Sequence, residues 1–126
     1  MNSKELYDSR LCELQNVSYD DLSNAFIQRG IIQCFIEVFD LSLALFRESL
    51  ISDSIDMSEL EVLSFTPKEL IMVAYDSYVH MDETIWLDMY YERYYPDFSD
   101  SVYERASRIV KEYLPALVLL QHKLSP

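Results

Sequence analysis

Residues 20–52 read DDLSNAFIQRGIIQCFIEVFDLSLALFRESLIS, and this stretch decides the fold. Its apolar positions include Leu22, Phe26, Ile31, Phe35, Val38, Phe39, Leu45, Phe46 and Leu50. They recur at steps of three and four, with occasional neighbours, which is the signature of a helix with a broad buried stripe. The spacing predicts one helix from Asp20 or Asp21 to Ser52, with the two aspartates complementing the dipole at its start. Gly30 is the one position in it where a bend or break is expected.

Outward from this helix the pattern stays helical. A shorter helix is expected over Ser3–Leu14, with Leu6, Leu11 and Leu14 as its weak apolar stripe. After a polar connection, in which Ser58–Val62 suits a single turn, Thr66-Pro67-Lys68-Glu69 is a capping box with proline at the first helical position. From there Leu70, Ile71, Val73 and Ala74 face inward, and the helix is expected to end near Val79. Asp82 caps the next element, which carries Ile85, Trp86, Met89 and Tyr90 inward until Pro96 forbids continuation. Ser101-Val102-Tyr103-Glu104 is a second capping box, opening a last helix to about Lys123 with Ile109, Tyr113, Leu117 and Leu120 inside. The expectation is an all-α chain, a single domain over residues 1–126, folded as an up-down antiparallel four-helix bundle with an extra short helix.

Composition agrees. One glycine and four prolines are too few for the turns of an all-β or Gly-rich α/β fold, or for a phosphate-cradling loop. The 22 acidic and 10 basic residues leave a net charge of -12, which repels a phosphate backbone, so direct nucleic-acid binding is disfavoured. The start, MNSKELYDSR, is too polar for a signal peptide, and no apolar run reaches the roughly 20 residues that cross a bilayer. The expected setting is cytoplasmic, with no membrane partner. Cys12 and Cys34 lack a zinc or redox spacing, and Cys34 reads as a small core residue.

Catalytic signals are sparse. His80 falls in a turn and His122 near a helix C-terminus, neither with a partner at ligand spacing. Glu37 and Asp40 share a helix face and read as two solvated acids rather than a metal pair. No metal or cofactor is expected. The densest feature is Met89–Pro96, where Tyr90/Tyr94 and Tyr91/Tyr95 are i, i+4 neighbours. Four tyrosines at these spacings span more than one face, so some stand at the edge of the helix or outside it. They read equally as an interface or as core padding with hydroxyls reaching the surface.

Several motifs together resemble one family. Ile32-Gln33-Cys34-Phe35 followed by Val38-Phe39-Asp40-Leu41, the Thr66-Pro67-Lys68-Glu69-Leu70 helix start, the run Trp86, Met89, Arg93, and the closing Val110–Pro115 are similar to elements of the nucleotidyltransferase substrate-binding proteins of the HEPN superfamily. The resemblance implies a homodimeric bundle, paired in a toxin–antitoxin fashion with a small nucleotidyltransferase. It also implies a metal-independent ribonuclease motif in active members: an Arg, four to six residues, then a His, sometimes with a Tyr two residues on. Here Arg93 matches the Arg, but Tyr94 follows it, Phe98 stands at the His position and Asp100 at the Tyr position. Ile36 and Ala44 stand where relatives carry Glu and Lys. Phenylalanine transfers no proton, so the reading is a pseudoenzyme with no catalytic residues. Its motif remnant, Tyr91, Arg93, Tyr94, Tyr95, Asp97 and Phe98, becomes a contact surface for a protein partner. The alternatives are a ribonuclease of altered chemistry using Arg93 with Asp97 or a tyrosine, and a nucleotide-binding module stacking a base on Tyr94 or Tyr95, for which Arg93 is the one nearby cation.

Overall fold

A computed structural model describes residues 1–53, 57–78 and 81–124. Among them the regular secondary structure is entirely helical, with no strand. Helix α1 spans Ser3–Val17, α2 Ala25–Asp53, α3 Glu59–Ser64, α4 Pro67–Ser77 and α5 Glu83–Tyr94. The last helix, α6 (102–124), joins α-helical Val102–Arg108 and Leu114–Leu124 through a π-helical turn at Ile109–Tyr113. His80 and Val79, the expected end of the Pro67 helix, lie outside the described residues.

Helix starts follow the side chains available to cap them. Thr66 carries both halves of its box, accepting from Glu69 N at 3.2 Å while Glu69 Oε1 accepts from Thr66 N at 3.2 Å. Asp82 accepts from Thr84 and Ile85, and Ser101 accepts from Glu104 N at 3.0 Å. Helix α2 begins later than the acids at 20 and 21 suggest. Asn24 is its cap, accepting from Phe26 N and Ile27 N, while Asp21 is drawn into a turn with Ser23. Asparagine adjoining the periodic run outcompetes aspartates several residues upstream, because a cap must reach the first free N–H groups. Gly30 does not break the helix: α2 is continuous across it.

The π turn has a cause in Pro115. A proline in a regular α-helix clashes with the carbonyl four residues back. Here Leu114 N donates to Ile109 O, five residues back, so the helix is widened just before the ring enters.

Helix α2 is the hub, touching α1, α3, α4, α5 and α6. Ser3 and Arg10 of α1 meet Glu48 and Glu37 of α2, so these two run antiparallel. Phe46 and Asp40 of α2 meet Trp86 and Arg93 of α5, again antiparallel. The centre is aromatic. Phe35 stacks on Phe39 at 5.9 Å, Phe39 lies 6.2 Å from Trp86, and Phe46 meets Trp86 edge-on at 5.1 Å. Such pairs add about 0.5–1.5 kcal/mol each beyond burial.

Two expected core residues sit elsewhere, for one shared reason. Phe26 is 83% exposed and Leu6 is only half-buried. Each stands five positions before a true core residue, Ile31 or Leu11, which is about 140° round a helix. In α1 the buried stripe is Tyr7, Leu11 and Leu14. The polar tip of Tyr7 is met by Leu117 O of α6 at 2.5 Å. Cys34 is half-buried at the rim of the core rather than within it.

Candidate functional site

In α5, Trp86, Met89 and Arg93 stand at i, i+3 and i+7, one face of the helix. Trp86 and Met89 are buried, and Arg93 continues their face toward α2. There it forms a fork with Asp40: Nε to Oδ1 at 3.0 Å and Nη2 to Oδ2 at 3.1 Å. These bonds hold the guanidinium charge more firmly still, against the opposing effect of burial. Asp40 is therefore not a free acid paired with Glu37. Glu37 lies 3.7 Å from Arg10 instead, so each carboxylate answers an arginine from a different helix.

The tyrosines form a ladder around this clasp. Tyr90 packs against Tyr91 at 5.1 Å and Tyr94 at 5.2 Å, and Tyr91 lies 6.4 Å from Tyr95. Tyr94 covers the Arg93 guanidinium at 5.0 Å, and burial together with Asp40 pushes its phenol up. Lys68 of α4 donates to the Tyr91 hydroxyl at 3.0 Å. Tyr95 is the C-cap, outside the helix, as four tyrosines at these spacings require. Tyr95 and Phe98 are 68% and 90% exposed, a large aromatic area at the turn that follows α5.

A second group adjoins this face, and sequence reasoning missed it. Glu92 is buried and accepts from Arg105 Nε at 2.9 Å and Arg108 Nη1 at 3.1 Å. Arg108 continues to Asp100 at 2.8 Å. Arg93 is thus not the only cation near the motif: the turn at 95–101 folds α6 back so that two more arginines reach α5. A signal was present, since Arg105 and Arg108 stand at i, i+3 on one helix face, yet nothing in the sequence says which acid they meet.

These groups border a cleft of about 310 Å³ between α5, the turn and the π-helical part of α6. Tyr91 and Tyr95 line it, with Asp88, Asp97, Asp100 and Glu112 around them. Asp97 accepts from Ser99 N and Oγ at 2.9 and 2.7 Å, bonds that hold its carboxyl below the usual range and weaken it as a base. Of the six residues singled out from the sequence, Tyr91, Tyr95 and Asp97 line this cleft. Arg93 and Tyr94 turn to α2 and Asp40, and Phe98 stands in solvent. Arg93 and Asp97 therefore serve different partners. Among the described residues no group of three or more His, Cys, Asp or Glu is placed to hold a metal ion, and no helix is long and apolar enough to cross a membrane.

Comparison with protein-family models, curated proteins and solved structures found no match for this chain.

Proposed function

We propose that this chain is a non-catalytic helical binding protein of HEPN-like type, dimeric through its bundle, whose aromatic face at Tyr91–Phe98 docks a small nucleotidyltransferase in a toxin–antitoxin-like pair. The observation that carries the reading is the state of the motif residues. Arg93, the one match to the ribonuclease motif, has its fork closed on Asp40, while Tyr95 and Phe98 beside it are exposed. A guanidinium already paired with a carboxylate is a poorer stabiliser of a phosphorane, whereas exposed aromatics beside an arginine are common anchors of protein interfaces. The alternation of α1, α2, α5 and α6 supports the up-down bundle, with α3 and α4 as short additions.

The test is coexpression with a small nucleotidyltransferase encoded beside the gene. Co-elution of the two chains is expected, with loss on Tyr95→Ala plus Phe98→Ala while the helical circular dichroism is unchanged. A folded wild-type chain that never co-elutes refutes the partner. Light scattering on the isolated chain tests the dimer. An RNA-cleavage assay in which wild type exceeds Arg93→Ala would return the protein to the ribonucleases.

A further inference from the structure

The cleft beside the motif has a feature that protein docking on the aromatic face does not use. Tyr113, the last residue of the π turn, is only 2% exposed, and its hydroxyl has no hydrogen-bond partner among the described residues. Its ring packs on Phe35 at 5.5 Å, in the core. Its phenol is pushed up to about 12, first by burial and then, against Arg108, by the charges of Asp88, Glu92 and Glu112. All four of those residues line the cleft, as Tyr113 does, which places the hydroxyl at the cleft floor. With no protein partner among the described residues, that hydroxyl is open to hydrogen-bond with whatever occupies the cleft.

We propose that this cleft binds an alkylammonium group, with Tyr113 Oη accepting a hydrogen bond from it at the floor. The walls suit that chemistry. Asp88 and Glu112 are exposed carboxylates with no ion pair among the described residues, whereas Glu92 and Asp100 are already engaged by arginine. Tyr91 and Tyr95 offer ring faces to a cation at the mouth. The acids are too dispersed to ligate one metal ion, which favours an extended organic cation whose charges sit several ångströms apart. A volume of about 310 Å³ lies at the small end of ligand clefts and admits a chain of that kind. The inference does not rest on the docking reading, although Tyr91, Glu92, Tyr95, Pro96 and Asp97 of that face also line the cleft.

The experiment is calorimetric titration and thermal shift of the full chain at about 0.15 M salt, where long-range attraction to a net charge of -12 is screened. Spermidine and a tri-lysine peptide are the probes, with magnesium chloride as the counterion control. Saturable one-site binding is expected. Spermidine alone binding identifies a free polyamine, and tri-lysine alone a lysine side chain of another protein. Tyr113→Phe keeps the ring and is expected to weaken binding about fivefold to tenfold, the equivalent of one hydrogen bond, without lowering the melting temperature of the empty protein. Asp88→Asn and Glu112→Gln, both on exposed positions, are expected to weaken it several-fold and carry the test should Tyr113→Phe fold poorly. Non-saturating binding, or a magnesium shift equal to that of both probes, overturns the proposal. So does indifference to Tyr113→Phe in a variant that folds, or to both carboxylate changes in one whose Tyr113 variant does not.

Discussion

Replacing Glu92 by leucine tests whether α5 and α6 are held by charge or merely by contact. The Glu92 side chain is 3% exposed, while those of Arg105 and Arg108 are 18% and 33% exposed. Removing one member of a fully buried pair costs about 3–5 kcal/mol, mostly from the charge left behind. Here the stranded charges are partly wet, and Arg108 keeps Asp100 at 2.8 Å. Arg105 is therefore the residue that suffers, and the expected loss is about 2–4 kcal/mol, a lower melting temperature by about 8–15 °C for a chain of this length. Urea unfolding followed by far-ultraviolet circular dichroism measures it. Adding Arg105→Met removes the stranded guanidinium, so the double variant is expected to be more stable than Glu92→Leu alone. The two changes share one contact, so their energies are expected to be non-additive by about 1–3 kcal/mol. A loss below about 0.5 kcal/mol, or strict additivity, would refute the claim that this network ties the two helices.

Gly30→Ala is expected to stabilise the protein by about 0.5–1 kcal/mol, read in the same urea assay. The position is helical and an added Cβ there meets nothing within 4 Å, so only the entropy of the unfolded chain changes. Arg93→Ala should cost only about 0.5–1.5 kcal/mol, because its partner Asp40 is 42% exposed and can rehydrate; a thermal melt decides. Alkaline pH should unfold the chain steeply. Burial raises Tyr7, with Asp8 adding to it, and burial raises Tyr113 to about 12, both from an ordinary 10.0. Between about pH 10 and 12 the unfolded chain loses protons that the folded chain keeps, so stability, complete below pH 10, falls by up to about 1.4 kcal/mol per pH unit for each tyrosine. Urea midpoints across that range, with Tyr7→Phe and Tyr113→Phe flattening the fall, check it.

Local chemistry was the legible part of this molecule. Thr66, Asp82 and Ser101 cap helices because each side chain meets amides two or three residues away, a contact written entirely within one segment. Ile109, Tyr113, Leu117 and Leu120 are all buried, as their spacing implies, even across the π turn. Periodicity misled where it accepted any apolar residue near the stripe, as at Phe26 and Leu6, which are out of phase with the core. The pairing of faces was not legible. Asp40 and Glu37 occupy one face of α2, yet their partners come from α5 and α1. Glu92 meets Arg105 and Arg108 because the turn at 95–101 brings α6 back against α5, and the spacing of these three residues in the sequence does not state the angle of that return. The six motif residues accordingly divide between two faces.

One bond in the fold has a consequence for the order in which the chain is made. Tyr7 donates to Leu117 O, and Gln121 reaches Asp8 at 3.0 Å, contacts that join positions 110 and 113 apart in sequence. During synthesis the first helix emerges long before its cover. Until the last turns of α6 leave the ribosome, the Tyr7 phenol has no acceptor there and the stripe Tyr7, Leu11 and Leu14 rests on α2 alone. The nascent chain thus carries an open seam along α1 until α6, more than a hundred positions on, has been made and has folded back over it.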